Sequence, residues 1–280
     1  MRSFNCLFLY LIATVWFFAC NKREIPEQVP LLVVEGYIDD GGFPVVMLTT
    51  TLPVNTEPQS KDSIEGHLLK WAKVTVNDGE QEVVLTGMAD KAYFPPFVYT
   101  TSRMRGMVGR SYTLQVDYEN FHATAVTTIP ERPIVDSLIV TRTDVDTLYS
   151  ITAYLKSISQ QKNYYMAFIR IGSQGQQWLP AYLGLRFNEF VTDEICIPIY
   201  RPKLFSDVEY VPFFNYGDSI TVKIAQIDEQ AYLFWKDYEN SINFSRNPLF
   251  PFSENTCSNI LGGIGCWYGS GIVKIPVIIH

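Results

Sequence analysis

The sequence predicts a mainly β protein. An N-terminal immunoglobulin-like or transthyretin-like β-sandwich is followed by a second β-rich domain with one packed helix. Three observations predict this. Short stretches that alternate apolar and polar residues recur along the chain, as half-buried strands do. Clusters of Asp, Asn and Gly separate several of them at hairpin spacing. Only residues 228–240 carry an apolar stripe at helical spacing. A chain of 280 residues with 47 % apolar residues can build one large or two ordinary domains around a sizeable core.

Residues 1–19 read as a lipoprotein signal peptide. Arg2 supplies the positive start, Cys6 to Phe18 is mostly apolar, and Ala19 is a small residue before Cys20. The apolar run is shorter than the roughly 20 residues a membrane-spanning helix needs. In this reading Cys20 becomes the lipid-bearing first residue; an ordinary cleaved signal is the alternative. Residues 20–30 form a polar tether containing Pro26 and Pro30.

The sandwich is placed at 31–130. Leu31 to Ile38 and Val45 to Thr51 are strands joined by the turn Asp39-Asp40-Gly41-Gly42. Ala72 to Val76 and Gln81 to Thr86 flank Asn77-Asp78-Gly79-Glu80, whose residues tolerate the positive φ of a tight hairpin. Ser111 to Val116 and Phe121 to Thr128 make a further hairpin. Ile129-Pro130-Glu131-Arg132-Pro133 interrupts the pattern, because closely spaced prolines do not fit inside a sheet. The second domain therefore occupies 134–280, with strands at Ile134 to Thr141, Leu148 to Leu155, Tyr164 to Ile171 and Ser219 to Gln226. Leu179 to Phe190 is aromatic and fits neither period. The helix at 228–240 has Asp228 as N-cap, Glu229 in its first turn, and Ile227, Ala231, Phe234, Trp235, Tyr238 and Ile242 on one stripe. Asn255 to Gly271 is glycine-rich and precedes a last strand, Gly271 to Ile279.

Chemistry-bearing patterns are sparse. A net charge of −7 without a basic cluster argues against nucleic acid as a partner and against polybasic membrane binding. No nucleophile elbow or His-Glu-x-x-His motif occurs, and His67, His122 and His280 are scattered. The chain is therefore read as no enzyme, with no metal and no cofactor. Cys6 leaves with the signal and Cys20 takes the lipid. Cys196, Cys257 and Cys266 remain, an odd number for an oxidising compartment. Cys257 and Cys266 are the nearest pair for a disulfide, and three reduced thiols are the equal alternative. Asp39-Asp40 fits a hairpin turn better than a Ca²⁺ site. Glu35 stands in an apolar run beside Val33 and Tyr37, where a carboxylate needs a partner or a raised pKa. Trp178, Tyr182, Phe187, Phe190 and Tyr200 form one aromatic group, and Tyr210, Phe213, Phe214 and Tyr216 another. Pro212 and Asn215 put the second group on a loop, which makes it the expected binding surface, with core packing as the alternative.

Several stretches together resemble a known family. They are Ala19-Cys20, Leu32 to Ile38, Val108 to Leu114, Ile129-Pro130 through Asp136-Ser137-Leu138, Ala231 to Trp235, and Ser258-Asn259-Ile260 with its glycines to Gly265. The chain is similar to Bacteroidota lipoproteins of unknown function that are encoded beside TonB-dependent outer-membrane receptors. The resemblance covers roughly residues 20 to 275 and transfers one position, Cys20. It implies a lipid-anchored, non-enzymatic accessory or ligand-binding component of a TonB-dependent nutrient uptake system in the outer membrane. Its partners would be the receptor and, through the lipid, the membrane. A structural or adhesive cell-surface module is the alternative. Cys266 stands where the family has an aliphatic residue, which again points to a local disulfide. Asn21 to Glu24 carries Lys22 and Arg23 instead of an acidic run, so the cell surface and the periplasmic face both stay open.

Overall fold

The computed structural model describes residues 30–51, 66–145, 147–156, 162–172, 178–188, 194–203, 209–244 and 257–280, with only the backbone at 241–244. The signal peptide, Cys20 and the tether up to residue 29 lie outside the described residues. Leu31 to His280 forms one compact unit. It is mainly β, with several sheets and, among the described residues, one helix.

The N-terminal strands follow the turn chemistry. β1 (Leu32–Asp39) and β2 (Pro44–Thr50) pair antiparallel from Leu32↔Thr50 to Ile38↔Pro44. β3 (Lys73–Asn77) turns into β4 (Glu82–Val84) over Gly79, which takes φ +89°. Asp78 organises that turn: its Oδ1 accepts from the amides of Glu80 and Gln81 at 3.0 and 2.9 Å. Its Oδ2 takes the Arg110 guanidinium at 2.8 Å. The return strand expected over Gln81 to Thr86 splits. At buried Leu85 the chain leaves β3 and continues as β5 (Thr86–Ala89), which pairs instead with β6 (Phe97–Thr100). β7 (Ser111–Tyr118) and β8 (Phe121–Thr128) complete a four-stranded sheet of order β4-β3-β7-β8. This sheet faces β1, β2 and β6 across a core that includes Leu32, Val34, Val46, Val74, Val76, Tyr112, Leu114 and Val116.

The C-terminal strands wrap a second core. β9 (Ile134–Arg142), β10 (Leu148–Lys156), β13 (Glu194–Ile199) and β14 (Phe214–Asn215) form one sheet. It packs on β11 (Tyr164–Ile171), β12 (Leu179–Phe187) and β15 (Ser219–Ile227) through Ile151, Ala153, Ile197, Phe214, Val222 and Ile224. The stretch that fitted neither period is β12. Leu183 takes φ +55°, and the β11–β12 register shifts nearby, which blurs its alternation. The helix α1 (Glu229–Phe244) begins where its cap predicts: Asp228 Oδ1 accepts from the Ala231 amide at 2.8 Å. Ala231 and Trp235 bury against Met166, Phe168, Ala225, Cys266 and Tyr268. The Ile242 side chain lies outside what is described.

One strand joins the two cores. β16 (Ile264–Ile278) is 15 residues long and starts well before the expected Gly271. Its first half runs parallel to β1, from Val33↔Ile264 to Asp39↔Ser270. Its second half runs antiparallel to β15, from Gln226↔Gly271 to Ser219↔Ile278. An eight-stranded sheet of order β12-β11-β15-β16-β1-β2-β6-β5 results. Gly262 and Gly263 precede this strand, while Gly265 and Gly269, expected before the last strand, lie within it under close cover. A Cβ on Gly269 would sit 2.8 Å from Ile129 Cγ1, because the Ile129-Pro130 segment crosses β16 there. Trp267 delivers its side chain, 0 % exposed, into the N-terminal core, and its Nε1 donates to the Tyr112 carbonyl at 3.0 Å. Gly36, opposite Trp267 in register, makes room for it: a Cβ there would lie 2.9 Å from the indole. Gly36→Ala should therefore cost about 1–3 kcal/mol through overpacking, read from the urea midpoint.

At the middle of β16 a buried ion pair ties three strands. Lys223 Nζ of β15 lies 3.1 Å from Asp39 Oδ2 of β1, with side chains 3 % and 9 % exposed. Ser270 Oγ of β16 donates to Asp39 Oδ1 at 2.6 Å. The rings of Phe168 and Tyr37 lie 4.5 and 5.3 Å from the ammonium. Removing one partner strands the other charge away from water. Lys223→Met should lower unfolding free energy by about 3–5 kcal/mol, and adding Asp39→Asn should restore much of that loss; urea denaturation of both variants checks it.

Candidate functional site

The expected binding surface divides in two. Phe214 is no part of a surface: it pairs with Tyr149 in the β10–β14 register and is 0 % exposed in the second core. Pro212 and Asn215 do mark a loop, but the intervening pair of strand residues turns one side chain inward. Tyr216 is 68 % exposed, with its ring 6.5 Å from that of Tyr149. Tyr210 and Phe213 are half-buried. Tyr210 meets Tyr182 edge-on at 5.1 Å and donates its hydroxyl to the Arg201 carbonyl at 2.6 Å, while Phe213 meets Tyr200 at 6.3 Å. Lys203 Nζ lies 4.7 Å from the Tyr182 ring and 5.9 Å from that of Tyr210. An ion pair between Arg201 and Asp218 at 3.1 Å holds the loop, and Asn215 donates its amide to the same carboxylate.

The other aromatic group is scattered by the fold. Tyr182 and Tyr200 join the loop surface through an isolated bridge between β12 and the end of β13. Phe187 goes to α1, against Tyr232 at 5.7 Å. Trp178 goes to the buried lysine, 5.3 Å from its ammonium. Phe190 lies outside the described residues. Lys203 and Lys223 were not singled out from sequence. Lys223 had a visible signal, being a cation inside Ile220 to Ile227 where every neighbour but Thr221 and Gln226 is apolar.

Glu35 finds no partner among the described residues. It makes no hydrogen bond or ion pair with them, so the expected buried pairing is replaced by the raised pKa. It keeps solvent-exposed surface, yet it lies between Cys266 and Met47 in register and near Tyr238 of α1. Crowding by protein pushes its carboxyl from 4.5 up to about 7. Glu239 of α1 is likewise pushed from 4.5 to about 7 by desolvation, against the Leu185 amide and the Arg186 charge. Glu35 on β1 and Glu239 on α1 thus keep their protons to higher pH than they would in an unfolded chain. Stability from them is present below pH 4.5 and is lost as pH rises through 7. The variant Glu35→Gln/Glu239→Gln should lose this part of the pH dependence and unfold at higher temperature than the parent at pH 8. Melting curves at pH 5 and pH 8 check the sign, and an unchanged difference between the two pH values would refute it.

Other sequence candidates are occupied structurally. Asp39 serves Lys223 and Ser270, and Asp40 pairs with Arg132, so their carboxylates brace strands. His122 faces Asp117 at 2.9 Å, and His67 faces Thr50 at 3.1 Å. Cys196, Cys257 and Cys266 are all free thiols. The Cys257–Cys266 bridge is not made: Cys266 is buried in the core under α1, where desolvation pushes its thiol upward, while Cys257 is exposed. Among the described residues no group of three or more His, Cys, Asp and Glu converges to hold a metal ion.

The arrangement is a strand scaffold with aromatic and cationic side chains at its loops. The family model described as "Domain of unknown function (DUF4249)" matches residues 22–275, nearly the whole of this body. The chain belongs to the DUF4249 family. The match begins two residues after Cys20 and runs through both cores to Ile275 in β16, so the DUF4249 unit includes the strand that joins them. No curated protein matches the chain.

Proposed function

We propose that this protein is a lipid-anchored, non-enzymatic accessory or ligand-binding component of a TonB-dependent outer-membrane nutrient uptake system. The receptor link comes from the family resemblance. The observations in favour of a binding role are the largely exposed Tyr216, on the loop held by the Arg201–Asp218 ion pair, and the mutual contacts of Tyr182, Lys203 and Tyr210. Rigid aromatics that give area and a polar tip at little entropic cost are enriched at interfaces. The sequence supplies the anchor. From Cys20 to the start of β1 at Leu32 is a span of at most roughly 40 Å when extended, so the body stays close to the membrane.

A structural or adhesive module is the second reading, favoured by β9. This nine-residue strand pairs only with β10 among the described strands and exposes Ile134, Ile139 and Val140. Such an edge can accept another strand. Affinity purification from native outer membranes, with intact-mass analysis, separates the two. A lipid-sized mass addition on Cys20 and a co-purifying TonB-dependent receptor, recovered at least several-fold less with Tyr216→Ser, are the expected results. Lipidated protein recovered alone or with copies of itself would overturn the uptake reading.

A further inference from the structure

β11, β15 and β16 lie side by side, and their register sets Phe168, Lys223 and Lys274 in one row across the sheet. Two lysines directly opposite on neighbouring strands repel each other. The fold neutralises the first with Asp39. Lys274 is exposed and makes no ion pair among the described residues. Its charge also works against the protonated form of Lys223, which burial already disfavours.

A third cation joins them. The Arg170 guanidinium lies 4.6 Å from the centre of the Trp178 ring, Lys223 Nζ 5.3 Å and Lys274 Nζ 5.7 Å from it. One indole therefore gathers three positive charges on a chain whose net charge is −7. A single cation over an indole is an ordinary stabilising contact. Three around the same ring repel one another more than one ring's quadrupole returns. Asp39, the carboxylate that meets Lys223 among the described residues, is already shared between Lys223 and Ser270. Packing alone gives no reason to place Lys274 opposite Lys223, since any uncharged strand former would fill that position without the repulsion.

We propose that the cluster of Arg170, Lys223 and Lys274 around the Trp178 ring binds the carboxylate or phosphate group of a small soluble ligand. Lys274 and Arg170 make charge-assisted contacts to the anion, and Trp178 carries the adjoining part of the ligand on its face. Bound anion relieves the repulsion between the two lysines. The site names a ligand class for the binding role proposed above, but needs no receptor, so its failure and the failure of the receptor link are separate results.

The test is titration of the full-length chain in detergent with citrate and, separately, with inorganic phosphate, at ionic strength held constant with sodium chloride. Calorimetry and tryptophan fluorescence are the readouts. A saturable response to either anion is expected in the millimolar range or tighter, and the arm that responds identifies carboxylate or phosphate. Lys274→Ala should weaken it about tenfold or more, in line with loss of one charged contact. Trp178→Phe should remove the fluorescence change. The unfolding midpoint of Lys274→Ala without anion should be no lower than the parent's, which shows that the variant is folded. No saturable response to either anion, or equal binding by Lys274→Ala, overturns the proposal.

Discussion

The structure depends on β16 and on the charges buried at its midpoint. A strand of 15 residues serves two neighbours in succession, β1 along its first half and β15 along its second. Where one neighbour ends and the other begins, Ser270 and Asp39 meet Lys223. A sheet that changes partners at one point leaves polar backbone and side-chain groups to be satisfied there. The buried pair does so with directional bonds, and directional bonds specify register where apolar packing alone would tolerate a slip. Whether the pair adds net stability is secondary to this. Its geometry permits one alignment of three strands.

Much of the fold was legible where local chemistry and the final packing agree. Asn77 to Glu80 had to turn, and the Asp78 carboxylate and Gly79 show how. Asp228 capped the helix it was expected to cap, and the stripe through Ala231 and Trp235 became its buried face. The misreadings came from long-range packing. Leu85 moves the chain from one sheet to another, which no local pattern announces. Gly265 and Gly269 were expected to precede the last strand. They belong to it, and they are glycines because Val34 and Ile129 approach too closely for a side chain.

The candidate sites were legible in part, and for the same reason. The aromatic loop was found, but Phe214 was assigned to the wrong side of it, since a two-residue strand is too short to show alternation. Glu35 was recognised as a carboxylate in uncomfortable surroundings, and its carboxyl is indeed pushed up to about 7. The convergence on Trp178 was hidden, because Arg170, Lys223 and Lys274 are brought together only by the pairing of β11, β15 and β16. Residues that meet across strands carry no mark of it in sequence spacing.

Trp267 gives the fold a particular order of assembly. The core between residues 32 and 129 has a slot that is filled from β16, near the end of the chain. The parallel pairing of β1 with β16 closes a loop of more than 200 residues, and such closure is slow because its entropy is spent before its contacts repay it. A ribosome-bound fragment ending before β16 therefore cannot finish even its first-made sandwich. The first core stays incomplete until the last strand is available, so the two halves of the chain finish folding together.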